Sequence, residues 1–218
     1  MDKLQIEEHV KKAIRTLRYR LLGAASQNRE WYLAVDALEF AIANHEGTFR
    51  KDGVTPYIIH PVEAANYALT LSNVIRPVQL IGVLLMHDLM EDEDVRYATM
   101  HDHFGGEITD GVAAMSKQVD GVKKSPEEYW RGVFQNMLAS LGKPCDRVVN
   151  QNSMGSAFTP EKQLRQVEET VERVLPGIKL SRRKWPQQEL AYENCKLVLK
   201  TQNALLSSMN LRLVSAAA

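Results

Sequence analysis

Apolar residues recur at spacings of three and four along almost the whole chain, and this pattern constrains the fold more than any other feature. Residues with that spacing lie on one face of an α-helix and mark the side that packs against a core. The first stripe consists of Leu4, Ile6, Val10, Ala13, Ile14, Leu17 and Leu21. No segment alternates as a half-buried strand does, so the sequence predicts an all-α protein.

Prolines, glycines and capping residues divide the pattern into helices. Pro61 and Pro77 suit the first turn of a helix, which makes His60 a predicted N-cap. Thr159 before Pro160 predicts another start, and Pro176-Gly177 predicts where that helix stops. The predicted helices cover about 4–21, 30–44, 61–71, 77–92, 126–142, 161–175 and 186–206.

The length of the chain limits how many domains it can form. A chain of 218 residues can bury one substantial core. It contains no internal repeat and no low-complexity linker. We therefore predict a single helical domain over residues 1–206 and a tail over 207–218.

Charge and composition restrict the partners. The 27 basic residues balance 27 acidic ones, so no overall positive field exists for a long nucleic acid, and an anion site must be a local basic pocket. No run of eighteen apolar residues predicts a membrane span, and the first residues lack the apolar core of a signal peptide. Two cysteines without metal-type spacing favour a reducing cytoplasm. The sequence does not reveal an oligomeric state.

The segment LLMHDLMEDEDV, residues 84–95, places charge inside the most apolar run of the chain. On a continuous helix, His87 and Asp88 would lie one turn before Glu91 and Asp92, and all four would share one stripe. An ionised carboxylate among apolar neighbours is costly unless it is paired or bound to a metal. Imidazole and carboxylate ligands suit Mn, Fe, Zn or Mg. The acids that follow, Glu93-Asp94, are predicted to be solvated.

Blocks around this segment occur in a recognisable order: AIANHEGTFRKDGVTPYIIHPVEAA, LLMHDLMEDED, HFGGEITDGVAAMSK and KPCDRVVN. Over about residues 30–200 they resemble the hydrolase domain of the Rel/Spo family of alarmone enzymes, a branch of the HD metal-dependent phosphohydrolases. The resemblance implies a helical HD-type bundle with a metal site among its central helices. It also implies one divalent ion, usually Mn²⁺, and removal of the 3′-pyrophosphate from guanosine tetra- or pentaphosphate.

The resemblance assigns the metal and catalytic roles residue by residue. The implied metal ligands are His60, His87, Asp88 and Asp146. Bound metal would compensate the buried His-Asp pair. Glu91 and Asp92 match the acidic pair of hydrolase-competent members and are expected to orient and deprotonate the attacking water.

The implied substrate contacts are Arg50, Lys51, Tyr57, Lys143, Asn150 and Ser153. Arg50 can stack on a purine while Lys51 meets phosphate, although without the resemblance a solvated loop is the better interpretation. Tyr57 either lines the nucleoside pocket or packs as ordinary core. Asn150 is expected to contact substrate, Lys143 to bind phosphate, and Arg147 to be structural.

Departures from the family pattern concern the base. Val149 replaces a usual histidine or aromatic residue, and Ala157 stands where a bulky side chain usually packs on the base. Both changes predict a looser purine pocket, so (p)ppApp is a possible substrate beside (p)ppGpp. The metal residues are unaffected.

Two alternative functions remain open from the sequence. One is an HD-type phosphohydrolase of another nucleotide, either a 5′-nucleotidase or a phosphodiesterase. The other is a non-catalytic alarmone-binding module. Arg50-Lys51 and Glu91-Asp92 favour alarmone hydrolysis over both. A second metal site at His101 and His103 is rejected because no acidic cluster accompanies that pair.

Overall fold

The computed structural model describes the backbone of residues 2–216 and, within that range, the side chains outside 155–157 and 211–216. It confirms the all-α prediction. The helices are α1 Lys3–Gln27, α2 Tyr32–Asn44, α3 Ile59–Ala68, α4 Pro77–Met86, α5 Leu89–Asp92, α6 Tyr97–Met115, α7 Pro126–Gln135, α8 Met137–Ala157, α9 Pro160–Glu169, α10 Leu175–Lys184 and α11 Glu189–Ala216. Short 3₁₀ turns, Arg29–Trp31 and Pro186–Gln188, precede α2 and α11.

Two short strands interrupt the helices, β1 Gln118–Val119 and β2 Val122–Lys123, and the sequence analysis did not predict them. They pair antiparallel between α6 and α7. Asp120 and Gly121 between them both have positive φ, 49° and 80°. Positive φ at both central residues is the requirement of the tightest hairpin turn, which accounts for Asp-Gly at this position.

Helix α4 lies at the centre of the fold. Every residue from Val78 to Met86 is buried. A helix with apolar residues on all sides is stable in water only when other helices cover that apolar surface. Accordingly α2, α3, α6 and α8 all pack against it. The C-terminal end of α4 therefore delivers the residues that follow it, His87 and Asp88, to the interior of the protein.

The predicted helix over 77–92 is not continuous. His87 ends α4, and Asp88, with φ −98° and ψ −10°, precedes the short helix α5. The His87 imidazole contacts the Leu84 carbonyl through Nδ1 at 2.8 Å. His60 is likewise not the predicted N-cap, because α3 begins at Ile59, two residues before its predicted start at Pro61. The predicted helix over 126–142 also divides, at Asn136, whose side chain caps α8.

The predicted stop at Pro176-Gly177 is wrong. A π-helical turn, Thr170–Val174, follows α9, and α10 begins directly after it. Pro176 falls in the first turn of α10, where an N–H would have no helical partner in any case. Residues 179–184 are therefore helical.

The last helix extends beyond its predicted end. Helix α11 continues from Glu189 to Ala216, whereas the sequence predicts its end at Leu206 and a tail over 207–218. Residues 217–218 lie outside the described part of the chain. Among the described residues, no helix is long and apolar enough to cross a membrane.

Gly177 permits close contact between α10 and α7, and this contact gives a testable prediction of stability. A Cβ at Gly177 would lie 2.0 Å from the Phe134 ring. We expect Gly177→Ala to lower the free energy of unfolding by about 1–3 kcal/mol, the usual cost of overpacking. Gly132→Ala on α7 is the matched control, since nothing lies within 4 Å of its Cβ. Equal denaturant midpoints for the two variants would contradict the close packing.

Candidate metal centre and substrate cleft

The four predicted metal ligands converge in the structure. His60 Nε2 lies 3.0 Å from Asp146 Oδ1 and 3.9 Å from Asp88 Oδ2. His87 Nε2 lies 3.0 Å from Asp88 Oδ2 and 3.5 Å from Asp146 Oδ1. The ligand atoms of His60, His87 and Asp88 are all within 4.8 Å of one another.

Three separate parts of the fold supply these ligands. His60 lies in the first turn of α3, the His87-Asp88 pair fills the break after α4, and Asp146 lies within α8. Helices α3, α4 and α8 pack against one another pairwise, so the bundle itself fixes the ligand positions. Apart from Asp88, which is half-buried, the ligands are at most 4% exposed.

These residues fit a divalent ion. Ligands about 2.1 Å from a metal stand about 3.0–3.4 Å apart in a tetrahedral or octahedral shell. The observed separations of 3.0–3.9 Å are close to that spacing. The contact of His87 Nδ1 with the Leu84 carbonyl directs Nε2 toward the cluster, as the outer contacts of metal-bound histidines usually do. Two imidazoles and two carboxylates would also balance the charge of such an ion.

The electrostatics of the cluster indicate a site that is built for positive charge. Burial opposes charge on His87, but Asp88 and Asp146 outweigh it and hold the pKa of His87 well above its usual value. Burial also opposes ionisation of Asp146, yet Lys143 and the two imidazoles hold its pKa well below the usual range. Both shifts favour a positive charge between the two carboxylates.

Lys143 and Asn150 both contact Asp146 rather than open solvent. Lys143 Nζ donates to Asp146 Oδ2 at 2.8 Å, and Asn150 Nδ2 donates to Oδ1 at 2.6 Å. Burial opposes the charge of Lys143, but Asp146 outweighs it and raises the pKa of the ammonium. Both side chains line the cleft, and their closest contacts fix the orientation of a predicted ligand.

Glu91 and Asp92 make different contacts, although both follow the ligands by one turn. Asp92 N–H donates to the Asp88 carbonyl at 2.8 Å, which preserves the predicted one-turn spacing, and Asp92 opens to the cleft. Partial desolvation and the charges of Asp88 and Glu91 raise the pKa of Asp92. The Glu91 carboxylate instead accepts from the Lys117 N–H at 2.8 Å.

Glu93 and Asp94 were predicted to be solvated together, and for Glu93 this is wrong. Its carboxylate lies 3.1 Å from His45 Nδ1, and the His45 side chain is fully buried at the end of α2. The His45 ring packs on Tyr57 with 4.9 Å between centroids. Through His45, Glu93 therefore connects the end of α5 with the loop that carries Tyr57.

The loop before α3 presents two basic side chains to the cleft. Asp52 closes the loop by accepting from the Val54 and Thr55 amides at 2.9 and 2.8 Å. Arg50 lies 5.5 Å from the Tyr57 ring centroid and donates to Ser153 Oγ at 3.2 Å. The structure thus brings the predicted substrate residues of the loop and α8 to one wall.

Phe158 and Lys162 are residues of the cleft that the sequence analysis missed. The Lys51 and Lys162 ammoniums lie 4.7 and 4.2 Å from the Phe158 ring centroid. The neighbouring Lys162 ammonium, and to a lesser degree burial, lower the pKa of Lys51. Two like charges on one aromatic ring are the arrangement that an anion stabilises. The EKQ segment at the start of α9 carried no local signal of this role.

The cleft that contains these groups has a volume of about 1090 Å³. It joins the metal ligands to the basic wall. Val149 is 4% exposed and belongs to the hydrophobic core, so its predicted effect on the purine pocket is not supported. The Ala157 side chain, predicted to widen the same pocket, lies outside the described residues.

His101 and His103 do not form a second metal site with the side chains that the structure describes. His103 Nδ1 contacts the Thr99 carbonyl at 2.8 Å, and His101 stacks on Tyr97. In the described part of the chain, the only group of metal-type side chains is the one around His60 and His87.

Comparison with known proteins identifies several relatives. A Vibrio cholerae protein named guanosine-3′,5′-bis(diphosphate) 3′-pyrophosphohydrolase is 34% identical over 140 residues, which cover 61% of this chain and 19% of the relative. Escherichia coli SpoT, named a bifunctional (p)ppGpp synthase/hydrolase, is 32% identical over 136 residues, 59% of this chain and 19% of the relative. The chain thus spans about a fifth of the length of these relatives. No protein-family model matches it.

The fold also has a counterpart among solved structures. The structure of a metazoan ortholog of SpoT superposes with a TM-score of 0.60 and covers 78% of this chain and 95% of its own. At 17% sequence identity, this match bears on the fold alone. The sequence similarity to the bacterial enzymes and the shared helical fold agree with the resemblance to the Rel/Spo hydrolases.

Proposed function

We propose that the protein is a metal-dependent 3′-pyrophosphohydrolase of purine alarmones, which converts (p)ppGpp to the nucleoside 5′-di- or triphosphate and pyrophosphate. The observation that carries this proposal is the convergence of His60, His87, Asp88 and Asp146 beside Asp92 in a cleft with a basic wall. The names of the bacterial relatives supply the substrate class.

Different residues of the cleft are assigned to metal binding and to proton transfer. His60, His87, Asp88 and Asp146 would hold one divalent ion, Mn²⁺ by family resemblance. Such an ion supplies Lewis-acid activation of water and a clamp for a phosphoryl oxygen. Asp92 opens to the cleft, and partial desolvation and the Asp88 charge raise its pKa; it accepts the proton of the attacking water. Glu91 accepts a hydrogen bond from the amide of Lys117, the residue before β1, and so fixes the hairpin beside the cleft.

The basic wall binds the nucleotide. Arg50 presents its guanidinium plane for stacking on the purine, and Ser153 limits where that plane can lie. Lys51 and Lys162 both lie on the Phe158 ring and bind the 5′-phosphates. The negative charge of the phosphates offsets the repulsion between the two ammoniums. Lys143 and Asn150, predicted as substrate contacts, act first by orienting Asp146.

The substrate is a small nucleotide, the reaction is carried out by one helical domain, and adenine alarmones are substrates beside guanine ones. A cytoplasmic site of action agrees with two cysteines that are both free thiols in the interior.

The test is a panel of purified protein, Mn²⁺, and the tetraphosphates of guanosine and adenosine, with products separated by chromatography. We expect a nucleoside 5′-diphosphate and pyrophosphate from both, with a preference below about a hundredfold, because the guanidinium plane of Arg50 can stack on either purine. A 5′-mononucleotide and a cyclic nucleotide are the controls, and their preferential hydrolysis would favour the alternative phosphohydrolase.

Chelation supplies the second part of the test. Ligands from separate helices stabilise the native state when an ion binds them, so a chelator should abolish turnover and lower the melting temperature, and Mn²⁺ should restore both. Unchanged turnover in chelator, with no metal found by elemental analysis, would contradict the metal site.

A further inference from the structure

The Tyr57 hydroxyl contacts the oxygen of Asp88 that faces the predicted metal position. Tyr57 Oη donates to Asp88 Oδ2 at 2.7 Å. The same Oδ2 lies 3.0 Å from His87 Nε2. A carboxylate oxygen has two lone pairs, so one can accept from Tyr57 while the other is directed at a cation.

A tyrosine has one hydroxyl proton, and the geometry decides where it goes. Asp92 Oδ2 is 3.5 Å from Tyr57 Oη, against 2.7 Å for Asp88. The shorter contact takes the proton. Tyr57 therefore supports the ligand Asp88 and leaves the oxygen of Asp92 free for water in the cleft.

The surroundings of Tyr57 hold its hydroxyl in place. Its backbone N–H donates to the Thr48 carbonyl at 3.0 Å, next to the β-bridge between Phe49 and Pro56. The ring packs on His45, which is itself fixed by Glu93. Side chains that orient metal ligands act only when they are themselves fixed in this way.

We propose that Tyr57 is a positioning residue that fixes the Asp88 carboxylate for metal binding, rather than a wall of the nucleoside pocket. The hydroxyl is the part that acts, and the ring serves to place it. This inference rests on the metal site of the proposed function, but it does not depend on which nucleotide is hydrolysed.

The test measures Mn²⁺ binding to the metal-free protein by calorimetry, without substrate. Tyr57→Phe removes the hydroxyl and keeps the ring, and we expect Mn²⁺ affinity to fall about 10- to 100-fold, as it does when outer contacts of metal ligands are lost. Tyr57→Leu removes both and should lose the same factor. Tyr67→Phe is the matched control, because its hydroxyl contacts Asn194 instead, and it should bind Mn²⁺ as the wild type does. Melting temperatures of the metal-free variants verify that each is folded.

Each outcome decides the matter. Wild-type affinity in Tyr57→Phe, or a loss confined to Tyr57→Leu, would overturn the role of the hydroxyl. Excess Mn²⁺ should restore turnover of Tyr57→Phe with an unchanged KM, since the ion then holds Asp88 without help. If the hydroxyl proves necessary for Mn²⁺ binding but no alarmone is hydrolysed, this inference stands and the proposed function fails.

Discussion

Replacement of Asp92 by asparagine is expected to lower turnover by about two to four decades while the protein keeps its metal ion, because a positioned general base contributes that much. The amide preserves the shape of the side chain and removes its charge. Asp92 opens to the cleft and is not one of the converging ligands, so the loss should appear in kcat and leave metal content and melting temperature unchanged.

Glu91→Gln is the matched comparison, since it makes the same chemical change at the neighbouring position. The Glu91 carboxylate already accepts from the Lys117 amide, so we expect a smaller loss there. Near-normal turnover of the Glu91→Gln, Asp92→Asn double variant, measured with Mn²⁺ at saturation, would show that neither acid takes the proton.

The second large effect is expected at Asp146. Asp146→Asn should abolish Mn²⁺ binding and turnover and also destabilise the fold. The side chain of Lys143 is 14% exposed, and Asp146 is its ion-pair partner. An ammonium left without its partner in such a place costs about 3–5 kcal/mol of stability. Denaturant unfolding of the metal-free protein measures this cost separately from the loss of the ion.

Lys143→Met separates the two effects of Asp146. It removes the buried charge that Asp146 compensates but retains the carboxylate as a ligand. We expect this variant to bind Mn²⁺ and to keep part of its turnover. If Lys143→Met and Asp146→Asn lose metal binding equally, the ion pair itself, rather than the carboxylate as ligand, would be what the site requires.

The fold was predictable where local signals are strong. Periodicity gave the helices, and Thr159 does cap α9 by accepting from the Lys162 amide. The His87-Asp88 pair was predictable for a related reason, since it interrupts an apolar run and such groups are seldom buried without compensation, whereas His60 and Asp146 came from the family resemblance. Both inferences use interactions between residues that are near in sequence.

The errors arise where tertiary contacts decide. Propensity does not reveal the break at His87, because the contact with the Leu84 carbonyl and the packing of α4 set it. The stop at Pro176 failed because a π-helical turn brings proline to the start of a new helix. Lys162 lies far from Lys51 in the chain, and only the packing of the fold brings both to Phe158.

The reactivity of the two buried cysteines can be used to measure how often the helices around them separate. Cys145 precedes Asp146 on α8, and its sulfur lies 3.9 Å from that of Cys195 on α11, with both residues fully buried. Burial raises the pKa of the Cys145 thiol and shields both sulfurs from solvent, so neither cysteine should react with an alkylating agent while these helices stay together. The rate of thiol labelling in the unmodified protein therefore measures how often α8 and α11 separate beside Asp146, and no label has to be engineered into the chain.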